Sequence, residues 1–318
     1  MDIKMKLIFF GIDLILPLCI GYVCRYQSVI KDHVFNKMIL NNILVVYPIL
    51  SFLSFWILPL TSDLMWLPVI GIMIGLVPGV IAYFVAERKY TEDADRGSYV
   101  MSAILSNLGT IGGLCVFLIY GETGYAYQQL IVLFQYLLMF MFCYPLAQYY
   151  YQRSHGGEKV KRISVFSILF SRNQLAVVGI LLGGVLQAFG VPRPHELDGV
   201  ASIFVHLGAW TALLPVGYSM DFAKMRGHYH ELLDLSAIKF LATPLVIYLF
   251  SQFVIADEIM RNSLLILACC PAAVNAVIIA RLYKLNINIC VAAFIVTTAL
   301  FVFVVYPALF FLLSPWGI

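Results

Sequence analysis

The chain has 318 residues, of which 62% are hydrophobic and only 12% charged, and its mean hydropathy is +0.92. A water-exposed surface needs roughly a quarter of its residues charged, so a soluble enzyme is excluded and lipid is the solvent for most of the chain. The net charge of +3 comes from scattered Lys and Arg with no basic strip interleaved with aromatics, which excludes a nucleic-acid partner.

A transmembrane helix needs about 20 apolar residues. Stretches of that kind, separated by charged or Pro/Gly-rich breaks, predict ten spans at 6–25, 37–59, 64–86, 98–120, 125–151, 173–189, 197–220, 238–255, 260–281 and 288–313. The first carries Asp13 and lacks a small-residue cleavage pattern before Arg25, so it is expected to be retained and not removed as a signal peptide. Sixteen of the 20 basic residues fall in the odd-numbered loops, against Lys4, Lys6, Arg193 and Arg261 on the other side. That asymmetry predicts cytoplasmic odd loops, both termini outside, and a multi-pass protein of the cell membrane. Trp56 and Trp66 flank the outer turn between spans two and three as interfacial anchors. The seven cysteines lie in or beside apolar segments without metal-ligand spacing and read as small core residues. No metal or cofactor is expected.

The basic loop at 152–172 divides the spans five and five. The expected organisation is a first five-helix repeat at 1–152, a cytoplasmic linker at 153–172 and a second repeat at 173–318. Span five ends in Tyr144-Pro145 and span ten in Tyr306-Pro307, 162 residues later. The same offset carries the glycine-rich stretch from Asn107 through Gly109, Thr110, Gly112 and Gly113 onto the stretch from Cys269 through Pro271 to Asn275. Five is odd, so the second repeat begins on the opposite face of the bilayer, which is the inverted-repeat plan of secondary transporters. Glycines weaken span four, and Pro271 removes an amide from span nine. Both are predicted to unwind at mid-membrane. Irregular backbone is tolerated there only when it lines a cavity or is buried in protein, and the half-helices beyond each break would present free N–H groups suited to a carboxylate. Glycines that merely permit close helix packing are the alternative.

These residues resemble the auxin efflux carrier family over nearly the whole chain. Pro17 to Arg25 resembles its opening helix, Asn42 to Pro48 its second, Asn107-x-Gly109-x-x-Gly112 its fourth-helix motif, and Asn173 with Gly190-Val-Pro192-Arg-Pro194 the two ends of its sixth. Pro271-Ala-Ala-Val-Asn275 with Tyr283 resembles its ninth and is the most specific match. The resemblance implies a crossover of helices four and nine at the substrate site, a scaffold from 6–59 and 173–220, a transport core from 64–151 and 238–313, and a homodimer through the scaffold. Two positions depart from the family pattern: Leu114 stands where a proline is frequent, and Thr110 where an apolar residue is. Substrate preference therefore does not carry over. The short central loop marks a compact, microbial type of member.

Asp13 inside span one has two readings, a protonatable group coupled to transport or an interfacial carboxylate bonded to a neighbour. His206 in span seven either lines the cavity, binding an anion or relaying a proton, or is a neutral histidine satisfied by a carbonyl. Nothing in their spacing brings the two together. Lys239, Arg281, Asp221 and Glu87 are assigned to cytoplasmic ends, where snorkelling explains them. His228 and His230 fall in a hydrophilic loop and read as solvated, as does the mixed-charge stretch 87–96.

The sequence thus predicts an all-α transporter of ten helices that moves a small organic anion, a mono- or dicarboxylate, by alternating access, with no catalytic residues. Proton or sodium is the candidate coupling ion. The rival readings are a sodium symporter similar to the bile acid family, which would favour carboxylates near the crossover, and a membrane sensor, disfavoured because span ten ends at 313 with no output domain after it. An intramembrane enzyme would need a reactive pair, for which Asp13 with His206 is the one candidate.

Overall fold

The computed structural model describes residues 8–27, 32–154, 175–220 and 232–313. Asn173, Asp221, His228, His230, the linker from 155 onward and the basic residues at 4, 6, 31, 159–172 and 224–226 lie outside the described residues. Among those described, the structure is helical apart from one isolated backbone bridge, and seven helices are long and apolar enough to cross a bilayer. They are α1 (Ile8–Gln27), α2 (His33–Trp56), α3 (Ser62–Lys89), α5 (Leu108–Ser154), α7 (His195–Ser219), α8 (Leu233–Val254) and α11 (Ile287–Leu313). Shorter helices are α4 (Asp93–Ile104), α6 (Leu175–Ala188), α9 (Glu258–Ala268) and α10 (Val274–Leu282).

Seven and ten differ for identifiable reasons. α5 is 47 residues long but takes a non-helical turn at Gly121, φ 64° and ψ −149°, so the latter part of predicted span four and predicted span five run on through one kinked segment, while span four begins in α4. Predicted span nine is split into α9 and α10, each too short to cross alone. Predicted span six has only the 14 residues of α6 among those described.

The chain packs as two units. The first holds residues 1–64, 109–129 and 164–220. Its helices approach closely at glycines, as membrane helices do when backbones must touch. A Cβ on Gly217 of α7 would sit 2.1 Å from the Leu18 carbonyl of α1, and one on Gly21 would sit 2.2 Å from that of Leu214. Gly179 and Gly183 of α6 meet the carbonyls of Pro48 and Phe52 of α2 in the same way, at 2.3 and 2.4 Å. Asn42 Nδ2 donates to the Gly208 carbonyl at 2.9 Å and joins α2 to α7.

These contacts define a stability test. Alanine gains about 0.5–1 kcal/mol over glycine in a helix interior, whereas overpacking costs about 1–3 kcal/mol, and at Gly217 the obstacle is backbone that cannot rotate away. Gly217→Ala is therefore expected to lower the melting temperature in detergent. Gly184→Ala, where an added Cβ meets nothing within 4 Å, is expected to leave it unchanged or raise it. Equal melting of the two variants would contradict the packing described.

The second unit holds residues 65–108, 130–163 and 221–318. Gly97 of α4 lies against Tyr150, and Gly75 of α3 against Leu138 and Ile104. The mixed-charge stretch 87–96 is not simply solvated. Arg96 pairs with Glu87 and Asp93 at 3.3 and 3.2 Å, Arg153 reaches Asp93 at 3.1 Å, Lys89 binds Asp234 at 2.7 Å, and Asn286 binds Asp95 at 2.8 Å. The stretch is a clasp that ties the ends of several helices together.

One local device recurs in both units. Pro17, Pro48, Pro145, Pro244 and Pro307 each follow a widened, π-type turn, at Gly11–Ile15, Asn42–Val46, Met139–Cys143, Ile238–Ala242 and Phe301–Val305. In every case the residue just before the proline donates its N–H to the carbonyl five residues back. Proline has no amide and its ring crowds the preceding turn; opening that turn by one residue relieves the clash and keeps the helix going. Side chains in such turns point in directions that a regular helical repeat does not give.

Candidate functional site

The helix α4 ends at Ile104, where Leu105 turns extended with φ −90° and ψ 112°, and α9 ends at Ala268. The two irregular stretches run antiparallel, with Ser106 opposite Ala272. Asn107 N donates to the Pro271 carbonyl at 2.8 Å, and Ala273 N to the Leu105 carbonyl at 2.9 Å. Ala272 N donates to Thr297 Oγ1 of α11, also at 2.9 Å. Each interruption thereby satisfies the backbone groups that the other leaves open, which is the requirement for irregular backbone away from water. Pro271 fits because it contributes only a carbonyl.

The break in α4 falls before the glycines and not at them. Once the Asn107 amide is given to Pro271, the chain re-enters helix at the wide turn Leu108–Gly112, so Gly109, Thr110 and Gly112 open the second half-helix instead of forming the gap. The committed amides of Ala272 and Ala273 are likewise not available to a ligand. The open N–H groups on that side are those of Val274 and Asn275, the first residues of α10. Asn107 is 9% exposed and Asn275 half-buried, and neither side-chain amide has a hydrogen-bond partner among the described residues. Two asparagines at the edges of a backbone crossing are thus left with unused donors.

Gly109 and Thr110 are half-buried and line a small recess within the first unit, beside Tyr47, Tyr125 and Gly208. A Cβ on Gly109 would meet nothing within 4 Å, whereas one on Gly113 would press on Tyr125 and Gln128 at 3.2 and 3.3 Å. Gly109 therefore keeps space open and Gly113 is a packing glycine, buried like Gly112.

Asp13 and His206, which the spacing left apart, are in contact. Asp13 is 2% exposed and projects from the wide turn Gly11–Ile15. Its Oδ2 lies 2.5 Å from His206 Nδ1, and Trp210 Nε1 donates to its Oδ1 at 3.1 Å. The close fit of α1 on α7 at Gly21 and Gly217 brings together groups 193 residues apart. The His206 partner is thus a carboxylate and not a carbonyl. Its ring packs on Phe9 and meets the edge of Phe117, which in turn stands edge-on to Tyr125 of the recess. Thr211 bonds back to the Leu207 carbonyl in its own helix and adds nothing to this cluster.

Lys239 is the residue that the sequence misplaces. It does not snorkel from a helix end: it is 1% exposed, inside the wide turn Ile238–Ala242, and its Nζ donates to the Ala103 carbonyl and to Ser106 Oγ, both at 2.9 Å. Gln135 Nε2 donates to the Ser106 carbonyl at 2.6 Å. Lys239 and Gln135 thus grip the same corner of the crossing. A signal was present in that Lys239 precedes Pro244 within an apolar span much as Asp13 precedes Pro17.

Seven long apolar helices, together with two interrupted stretches paired through their backbones, define a multi-pass membrane transporter. Residues 12–307 match the family described as membrane transport protein, and the chain belongs to that family, the auxin efflux carrier family. It is similar to an "uncharacterized transporter" of Methanothermobacter thermautotrophicus, 23% identical over 292 residues that cover 88% of this chain and 90% of the relative. It is also similar to an "uncharacterized transporter" of Methanocaldococcus jannaschii, 20% identical over 288 residues with the same coverage of 88% and 90%.

Proposed function

We propose that the protein is a secondary transporter of a small organic anion, a mono- or dicarboxylate, working by alternating access. The observation that carries this reading is the pair of asparagines, Asn107 and Asn275, whose side-chain amides have no partner among the described residues beside the crossing. A carboxylate accepts from neutral amides and from helix-start N–H groups, and charge-assisted bonds of that kind are the strong ones. Pro271 keeps the crossing open, while Gly109, Thr110, Gly112 and Gly113 begin the half-helix that leaves it. Asp13 and His206 are the proposed proton carriers, since a buried carboxylate 2.5 Å from an imidazole can pass a proton with little movement.

The architecture proposed with this function is ten spans in two inverted repeats, embedded in the cell membrane with both termini outside and dimerising through the scaffold helices. The wide turns Met139–Cys143 and Phe301–Val305, each followed by Tyr-Pro and 162 residues apart, support the repeat. The test is uptake of labelled mono- and dicarboxylates into proteoliposomes under imposed proton or sodium gradients. Uptake of at least one carboxylate above protein-free vesicles, driven by the proton gradient, is expected. Uptake of neutral or cationic solutes with every carboxylate refused would overturn the reading.

A further inference from the structure

The second unit holds a buried lysine with no carboxylate partner among the described residues. Lys239 is enclosed in protein, and among the described residues no carboxylate pairs with it. Charged side chains at such depth are costly and are retained where they work. Both of its acceptors belong to the interruption. The Ala103 carbonyl lies in the last turn of α4, where helix carbonyls lack partners and the dipole is negative. Ser106 is the residue that faces Ala272 across the crossing. Carbonyls at the C-terminal end of a broken helix are the oxygens that transporters offer to a coupling cation, and here the Ser106 hydroxyl stands beside one. The aliphatic stem of Lys239 delivers an ammonium to them, aimed by the wide turn ahead of Pro244.

We propose that the Lys239 ammonium fills a cation position at the crossing, so that the site carries its positive charge on a tether and has no need of sodium. This deepens the functional reading above and rests on the crossing being the working centre of an anion transporter. It gives the unpaired lysine a role: its missing counter-charge is the one an incoming carboxylate brings. Lys239 acts here as a positioning residue, holding Ser106 and the end of α4 in the geometry in which the crossing is open to substrate.

The test compares parent, Lys239→Ala and Lys239→Met in sodium chloride and in choline chloride, by melting of the purified protein and by uptake of a carboxylate that the parent transports. The parent is expected to melt and transport alike in both salts. Lys239→Ala exposes the oxygens and vacates the space, so its uptake should fall about tenfold or more in choline, and sodium should both raise its melting temperature and restore part of the uptake. Lys239→Met fills the space with an uncharged stem and should lose uptake without responding to sodium. Sodium-dependent melting or uptake in the parent would overturn the proposal. So would Lys239→Ala with parental uptake, or Lys239→Ala with melting indifferent to sodium. If Lys239→Ala does not fold, the melting comparison is read on Lys239→Ser with the same two outcomes. A parent that moves no carboxylate defeats the transport reading alone, because the salt dependence of melting still decides the role of Lys239.

Discussion

Asn107→Ala and Asn275→Ala are each expected to cut carboxylate uptake by about 10- to 100-fold, the loss that follows from removing one hydrogen bond to a charged group at about 1.5–3 kcal/mol. The double variant should fall to the level of protein-free vesicles. The melting temperature should hardly move, for a structural reason. Neither side-chain amide has a partner among the described residues, and the crossing is held by the backbone bonds of Asn107 and Ala273 and by Thr297, all of which survive truncation to alanine. A structural asparagine would behave in the opposite way, losing stability and activity together. Uptake by both single variants at the parental rate, with melting unchanged, would remove Asn107 and Asn275 from the site.

Asp13→Asn is expected to separate exchange from accumulation. Asparagine keeps the size of aspartate and one oxygen for Trp210, so the contact of α1 with α7 should persist. What it loses is the ability to take up and release a proton beside His206. Uptake driven by an inward proton gradient should then fall about a hundredfold, to the ungated leak, since a proton carrier acting through a buried carboxylate has no substitute at that depth. Exchange of labelled for unlabelled carboxylate, which needs no net proton movement, should continue within severalfold of the parent. His206→Gln should weaken the gradient response less, because Asp13 remains ionisable. If Asp13→Asn accumulates substrate with undiminished dependence on the pH gradient, Asp13 is not the carrier.

How far these features were legible in the chain depends on whether their cause is local. The apolar spans, the missing amide of Pro271 and the family motif all act through nearby residues, and the break at 269–273 can be read from Pro271 alone. The break before Gly109 is displaced from the glycines because its position is set by a stretch 164 residues further on, where the Pro271 carbonyl takes the amide of Asn107. Asp13 and His206 meet because α1 and α7 pack at two glycines, a tertiary fact that neither span declares. Lys239 was hidden for a different reason. A lysine near the predicted start of an apolar span has a well-understood bland reading, and only the wide turn ahead of Pro244 turns its side chain inward toward Ala103 and Ser106. The kink at Gly121 was equally silent, since a glycine with φ 64° looks in sequence like any other glycine in a membrane helix.

The recurrence of wide turns ahead of proline links these cases. Among the described residues the buried charged side chains are Asp13 and Lys239, and each projects from such a turn. A proline placed to distort the preceding turn is therefore a better marker of an inward-pointing polar residue in this chain than its distance from a predicted helix end.

The most direct measurement is an experimental structure of the protein in lipid with a transported dicarboxylate bound. One carboxylate group is expected within hydrogen-bond distance of the side-chain amides of Asn107 and Asn275, beside the paired backbone of Ser106 and Ala272. A dicarboxylate seated where it touches neither asparagine, or either interrupted stretch found as continuous helix, would contradict it.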